Sequence, residues 1–334
     1  MRAGAESRML EGLSPKASEV AERFARFRTA DNSRFYDALA EHMVGRADSP
    51  CLPMWFEYAI TANQRGRETA DRLQTLVPLR RGGLFQPRPR VLDVGCAYGG
   101  FLVAFAERGA RVTGIEIDEA LVRLALVNVR EQAVDAEIVL GDATAVHPPF
   151  RGRFDLVIAN DVLEHVPQPE AFLRNVRGWL SPRGVAYLQI PNGSFPAFVA
   201  SDGHYQLFGV TLLEYSEASD YMRLDSGSPC TTYNYLDPAA YERLFVSCGL
   251  SFEILPEAAG SASVERVLEG CEELRSGLEE GLARVPEALR ELVRERIEAY
   301  LRRVAAAPRG TPAEVRRFLL DYGSSFWSVL ARRA

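Results

Sequence analysis

The stretch Val91-Leu92-Asp93-Val94-Gly95-Cys96-Ala97-Tyr98-Gly99-Gly100 decides how this chain is read. An apolar strand runs into an acid, then into a turn of small residues, and Phe101-Leu102-Val103-Ala104 opens a helix. This is the pattern of a nucleotide-binding strand–turn–helix. Gly95 and Gly99 remove Cβ atoms where a ligand must lie against the backbone, and the helix N-terminus offers unpaired N–H groups. The middle position of the turn is Ala97. Alanine resists positive φ, so the sequence predicts a right-handed or extended backbone there.

Outward from this turn the chain alternates short apolar runs with helical patterns. Strands are predicted at 90–94, 111–116, 137–140, 154–159 and 185–190, with helices near 100–107, 119–132 and 169–180 between them. Runs rich in Val, Ile and Leu indicate strands covered on both faces, hence a doubly wound, mostly parallel α/β sheet. Pro182-Arg183-Gly184 reads as a turn before the fifth strand. A sixth strand is predicted at 251–255 and a last, antiparallel one at 325–331, making seven. Asp237-Pro238 marks a helix start, with an N-cap and proline in the first turn.

Residues 18–77 carry helical periodicity, with a break at Asp31-Asn32-Ser33 and a second helix over 54–76. The domain reading is an N-terminal helical lid over 1–86, ending in a linker at 80–87, and a core over 87–256. Within the core, 193–236 is a loop-rich, aromatic, substrate-side segment. Helices over 264–282, 286–304 and 311–320 form an insertion, 257–322, before the final strand in 323–334.

Composition sets outer limits. The chain has 334 residues, 47% hydrophobic and 25% charged, with a formal net charge of −6. Those values are ordinary for a soluble domain, and the acidic balance argues against a nucleic-acid partner. Cys51, Cys96, Cys230, Cys248 and Cys271 are odd in number, with no CxxC spacing, so neither a disulfide framework nor a zinc site is expected. No apolar run is long enough to span a membrane, and a cytoplasmic location follows from these features. The terminal helices are the candidate surface for a homodimer.

Three further positions accompany the turn. The second strand ends in Glu116, about twenty positions on, where an acid accepts hydrogen bonds from ribose hydroxyls. At that point a nicotinamide dinucleotide and S-adenosylmethionine are both open. The third strand closes on Gly141-Asp142-Ala143, where an acid can accept from an adenine amine. The fourth reads Phe154-Asp155-Leu156-Val157-Ile158-Ala159-Asn160-Asp161-Val162-Leu163-Glu164-His165-Val166.

With these in place the chain resembles the class I S-adenosylmethionine-dependent methyltransferases over about 91–255. The Leu163–Val166 run is similar to the branch holding ubiquinone-pathway and other small-molecule O-methyltransferases. The resemblance implies a cofactor-binding set of Asp93, Gly95, Cys96, Ala97, Gly99, Glu116, Ile117, Asp142, Ala143 and Asn160. Asp93 and the turn would lie against methionine and ribose, Glu116 at the ribose hydroxyls, Asp142 at the adenine amine, and backbone near Asn160 at the methionine amino group.

Methyl transfer from a sulfonium needs an in-line acceptor, exclusion of water and removal of the acceptor's proton. The first two suit the N-terminal helices and 193–235 as lid material. The third points to His165, after the fourth strand, and His204, in the substrate-side segment, with Asp161 beside them. His42 and His147 lie on a helix surface and in a loop and are set aside. Tyr98, Tyr205 and Phe208 are the acceptor-side candidates.

Asp161, Glu164 and His165 have D-x-x-E-H spacing, and a later histidine is available in His204. This resembles the metal cluster of small-RNA 2′-O-methyltransferases and makes the four residues candidate ligands for a divalent metal. The expected activity is O-methylation of a small molecule, sugar or biosynthetic intermediate. N-methylation of a small molecule, metal-assisted RNA 2′-O-methylation and a non-catalytic scaffold are the alternatives.

Overall fold

A computed structural model describes residues 13–49, 51–76, 88–255 and 263–334. The expected linker at 80–87, and the boundaries placed at 86 and 256, lie outside the described residues. The chain divides into two compact units, Met1–Ala143 and Thr144–Ala334.

In the first unit, helices α1 (Pro15–Arg23), α2 (Ser33–Met43), α3 (Leu52–Ile60) and α4 (Ala62–Leu76) precede β1 (Arg90–Val94). Then come α5 (Gly100–Ala106), β2 (Arg111–Glu116), α6 (Glu119–Glu131) and β3 (Ala136–Leu140). Strand β2 pairs in parallel with both β1 and β3. The break at Asp31–Ser33 is present, with a 3-10 turn over Ala30–Asn32 before α2. The Glu131 carboxylate accepts from the N–H groups of Arg34 and Phe35 at 2.7 and 2.8 Å, so the last residue of α6 caps α2. The single helix expected over 54–76 is instead two. Thr61 hydrogen-bonds through its hydroxyl to the Glu57 carbonyl at 2.7 Å and separates α3 from α4.

The N-terminal helices have a core of their own. Val20, Phe24, Phe35, Leu39 and Phe56 are buried together, and α6 contributes Leu124. Phe24 and Phe56 stack with ring centroids 4.2 Å apart. Helix α4 crosses α5 closely. A Cβ on Gly66 would collide with the Gly100 carbonyl, and one on Gly100 with the Ala62 carbonyl.

The second unit holds β4 (Phe154–Asn160), α7 (Pro169–Trp179), β5 (Leu180–Pro191), α8 (Pro196–Ala200), α9 (Tyr215–Asp225), α10 (Pro238–Ser247) and β6 (Glu253–Ile254). After these come α11 (Val264–Ser276), α12 (Leu278–Ala283), α13 (Arg290–Ala306), α14 (Pro312–Tyr322) and β7 (Phe326–Ala331). Strands β4 and β5 are parallel, and β7 is antiparallel to both β5 and β6. The strand order is β3-β2-β1 in the first unit and β4-β5-β7-β6 in the second, seven strands of the expected mostly parallel α/β fold with its helical insertion before the last strand.

Several details of this unit differ from the expectation: the helix expected over 264–282 is divided at Gly277 into α11 and α12, and the sixth strand is confined to Glu253–Ile254. Pro182-Arg183-Gly184 does not precede β5 but lies within it. Phe154 pairs with Leu180 and Leu156 with Val185, so the three residues form a bulge. The segment 193–236, expected as a loop, contains α8 and α9, the latter started by a Glu214/Glu217 capping box. It packs with the C-terminal helices in one core that includes Val199, Phe208, Tyr221, Leu274, Ile297 and Phe318. The apolar side chains of the insertion are buried against this segment. No helix among the described residues is long and apolar enough to cross a membrane.

Candidate active site

The turn after β1 is pinned by its own backbone and by one acid. The N–H groups of Gly95 and Cys96 both donate to the Ile115 carbonyl, at 2.8 and 3.3 Å, and the Gly99 N–H donates to the Cys96 carbonyl at 2.7 Å. Gly95 and Gly99 have φ of +66° and +77°, so both need the freedom of glycine. Ala97 has φ of +41°. The right-handed or extended backbone expected there is therefore wrong. The compensating contact is charge-assisted: the Ala97 N–H donates to Glu116 Oε2 at 2.9 Å.

Glu116 is 6% exposed. Its other oxygen, Oε1, accepts from the Asp118 N–H at 3.0 Å, so the carboxylate is held at the end of β2. Asp93, at 2% exposure, is deeper still. Its Oδ2 has no hydrogen-bond partner, and desolvation, then the nearby charge of Glu116, holds its carboxyl well above the usual range. Two buried acids next to one glycine turn are costly unless a cation or donor relieves them.

The other expected cofactor residues fall around this end of the sheet. Cys96 is buried and Gly99 is packed on Ala125. Ile117 follows Glu116 and is 69% exposed, a large apolar side chain left in solvent beside the acid. Asp142 and Ala143 follow β3, with the Gly141 N–H bonded to the Glu116 carbonyl at 2.8 Å. Tyr98 does not stand clear as an acceptor-side ring: it packs on the core of the N-terminal helices, edge-on to Phe35.

In the second unit, β4 ends at Asn160, whose Nδ2 donates to Asp161 Oδ2 at 2.8 Å. Asp161 itself takes φ of +54°, which aspartate tolerates better than most residues. A 3-10 turn over Leu163–His165 follows. The Glu164 carbonyl accepts from the N–H groups of Tyr233 and Asn234, at 2.6 and 3.2 Å, and Asn234 Nδ2 donates to the Val166 carbonyl at 2.8 Å. This tie brings the 193–236 segment onto the turn.

Glu164, His165 and His204 converge. Their ligand-type atoms all lie within 4.8 Å of one another, and the two imidazole rings meet edge to face with centroids 4.7 Å apart. Glu164 Oε1 is 3.8 Å from His165 Nε2 and 3.6 Å from His204 Nε2. The Glu164 side chain is 0% exposed, and neither of its oxygens has a hydrogen-bond partner. Desolvation pushes its carboxyl up to about 7, against the opposing charge of His165. Burial likewise lowers both histidines. Asp161 is not part of this trio, but its charge acts on His204 in the opposite direction, as does that of Asp202.

Each imidazole is held on its far side. His165 Nδ1 lies 2.8 Å from the Thr231 carbonyl, which can only accept, so Nδ1 carries the proton and Nε2 faces Glu164 as a lone pair. His204 Nδ1 lies 2.9 Å from the Tyr235 hydroxyl. Asp202, buried at 1% exposure, accepts from the N–H groups of His204, Tyr205 and Leu207 and so fixes the loop that carries His204. From the sequence alone, Asp202 and Thr231 carry no role. Asp202-Gly203-His204 carries an Asx-turn signal that could have marked Asp202, whereas a backbone carbonyl such as that of Thr231 leaves none.

Two acceptor-side candidates have structural work instead. Tyr205 uses its hydroxyl on the Thr231 N–H and on the side chains of Thr231 and Thr232, at 2.7, 2.9 and 3.1 Å. Phe208 is 4% exposed and lies against Gly281, where any Cβ would collide with its ring.

The model of a family described as a methyltransferase domain matches residues 61–253, more than half of the chain. The chain belongs to this family. Curated relatives include a ubiquinone biosynthesis O-methyltransferase of Coxiella burnetii, 34% identical over 116 residues, covering 33% of this chain and 46% of the relative. The same enzyme of Pseudomonas entomophila is 36% identical over 110 residues, covering 33% and 47%. The chain thus spans about half the length of the curated relatives it matches. Among solved structures, magnesium protoporphyrin IX methyltransferase from Synechocystis PCC 6803 with bound SAH is 19% identical over 59% of this chain and 78% of its own, with a TM-score of 0.40.

Proposed function

We propose that this methyltransferase-domain protein transfers a methyl group from S-adenosylmethionine to an oxygen of a small molecule, sugar or biosynthetic intermediate. The observation that carries the reading is Asp93. Its carboxylate is buried beside Glu116, at the glycine turn of a methyltransferase domain, with Oδ2 unpartnered. These residues fit a ligand with a sulfonium and an ammonium charge. A dinucleotide would bring an anionic pyrophosphate to the glycine turn beside the buried Asp93.

When bound, S-adenosylmethionine supplies a sulfonium-activated methyl group. Asp93 accepts from donors of the methionine part, and Glu116, held rigid by Ala97 and Asp118, accepts from ribose hydroxyls. Ile117 offers an apolar face and Asp142 an acceptor for the adenine, with backbone at Asn160 toward the methionine end. His165 Nε2 takes the acceptor's proton, because the Thr231 carbonyl already holds the proton on Nδ1. His204 and Asp161 tune that step through Glu164. The reading carries with it a cytoplasmic protein with a small-molecule partner and terminal helices free to form a homodimer.

A second reading uses the same trio. Two imidazole nitrogens and a buried carboxylate are the donor set of a borderline divalent ion, which would lower the acceptor's pKa. The unpartnered Glu164 oxygens favour it, and the His165 Nδ1–H bond to a carbonyl is how ligating histidines are oriented.

The test is transfer of a labelled methyl group to small-molecule and RNA fractions of a cell extract. Label in the small-molecule fraction that hydriodic acid releases as methyl iodide, under conditions that leave N-methyl groups in place, supports O-methylation. Label in RNA would replace the acceptor class, and no transfer would overturn the proposal. Full activity after exhaustive chelation would remove the metal.

A further inference from the structure

We infer that Asn128 and Asn63 are cofactor-positioning residues: their paired amides hold the Tyr98 carbonyl and so make the shape of the 95–99 turn depend on the docking of α4. This rests on the reading of that turn as the cofactor site.

Asn128 lies on α6 and is 1% exposed. Its Nδ2 donates to the Tyr98 carbonyl at 2.7 Å and to Asn63 Oδ1 at 2.8 Å, and its Oδ1 accepts from Asn63 Nδ2 at 2.9 Å. Both Nδ2 protons and the carbonyl oxygen are thus engaged, on two partners. One partner is the backbone of the turn and the other is a side chain in the first turn of α4. Because Asn128 is buried, its amide is held in one geometry, since a shift would leave a buried polar group unpaired.

The surrounding packing points the same way. Gly66 and Gly100 let α4 and α5 approach until their backbones touch, and Gly99 sits on Ala125 at the distance of ordinary contact for an added Cβ, 3.4 Å. The turn is therefore packed on α6 through Ala125 and Asn128, and α4 reaches it through Asn63 acting on Asn128. Glu116 sets the turn through the Ala97 N–H, and the asparagines set it one residue further on through the Tyr98 carbonyl. Neither asparagine needs to touch the ligand. Each acts through backbone that does, so loss of either should appear in cofactor affinity and not in the chemical step.

The test uses the full chain with Asn128→Ala, Asn63→Ala and, as control, Arg67→Ala. Arg67 joins α4 to Glu107 and to Gln132, just past the end of α6, and leaves the Tyr98 carbonyl alone. S-adenosylhomocysteine binding is measured by calorimetry well below each variant's melting temperature, alongside hydrogen exchange of the 95–100 amides without ligand. The asparagine variants should bind about tenfold more weakly, with the cofactor KM raised and kcat retained, and their turn amides should exchange faster. Arg67→Ala should change neither. Unchanged affinity and exchange in folded Asn128→Ala and Asn63→Ala would overturn the inference, as would an equal loss in Arg67→Ala. If the unaltered protein bound no S-adenosylhomocysteine, the cofactor reading would fail while the exchange data still judged the clamp. Asn63 is only half-buried, so its variant keeps the test open should Asn128→Ala not fold.

Discussion

The N–H of Ala97 donates to Oε2 of Glu116 at 2.9 Å, and this bond holds an alanine at a φ of +41°. The left-handed backbone costs an L-residue roughly 1–2 kcal/mol, and a charge-assisted hydrogen bond is of similar size. The acid that the proposed function assigns to the ribose thus also shapes the turn in front of it.

Replacing Ala97 with glycine should remove the strain and keep the N–H. Part of the gain is offset by the greater freedom of glycine in the unfolded chain. Ala97→Gly is expected to raise unfolding free energy by about 0.5–1 kcal/mol in a urea titration. A loss of stability would mean that the side-chain methyl does packing that outweighs its backbone strain.

Asp93 should show the opposite balance between stability and function. Its folded-state pKa lies above the unfolded value, so the charged form opposes folding. The native state is free of that penalty below the unfolded pKa and bears it increasingly as pH rises through the folded one. Asp93→Asn removes the charge and keeps the shape. The ligand-free variant should melt at the same temperature as the unaltered protein or higher at neutral pH, yet lose the thermal shift given by S-adenosylhomocysteine. A variant that is destabilised but still binds would contradict the role given to this carboxylate.

Glu164 makes stability and activity depend on pH in opposite senses. Its carboxyl is pushed up to about 7 in the folded protein. In chelator, the stability it confers when protonated is complete below the ordinary glutamate range and is lost as pH rises through about 7. The two histidines, lowered by burial, act in the opposite sense, so the Glu164 part is read as a difference: between pH 5 and about 8 the melting temperature of the unaltered protein should drop relative to that of Glu164→Gln. Activity should rise over the same window, since the ionised carboxylate is what supports a proton on His165 or holds a cation. An activity profile with no limb near neutral pH, or one unaltered in Glu164→Gln, would remove Glu164 from the chemistry.

The strand ends were legible in the sequence because buried parallel strands need unbroken apolar runs, and those runs stop where Glu116, Asp142 and Asn160 begin. Helix continuity was less so. The apolar periodicity runs through Tyr58, Ala59 and Ala62, and only the Thr61 hydroxyl, by bonding back to Glu57, divides the helix. The segment 193–236 looked like a loop because its partners are distant. Phe208 is explained by Gly281, and Tyr300 bonds the Ser194 carbonyl from α13. At the candidate site the spacing of Asp161, Glu164 and His165 was visible, and so was a candidate fourth residue in His204. What orients them was not. The Thr231 carbonyl, the Tyr235 hydroxyl and the Tyr98 carbonyl act through chain positions that only folding brings near.

The most direct test of the account is calorimetric titration of the full chain with S-adenosylhomocysteine. One molecule should bind per chain, and Glu116→Ala should weaken it by about 1.5–3 kcal/mol through loss of charge-assisted hydrogen bonds. A folded protein that gives neither heat of binding nor thermal shift with this ligand would contradict the assignment of the turn between Asp93 and Gly100 as a cofactor site.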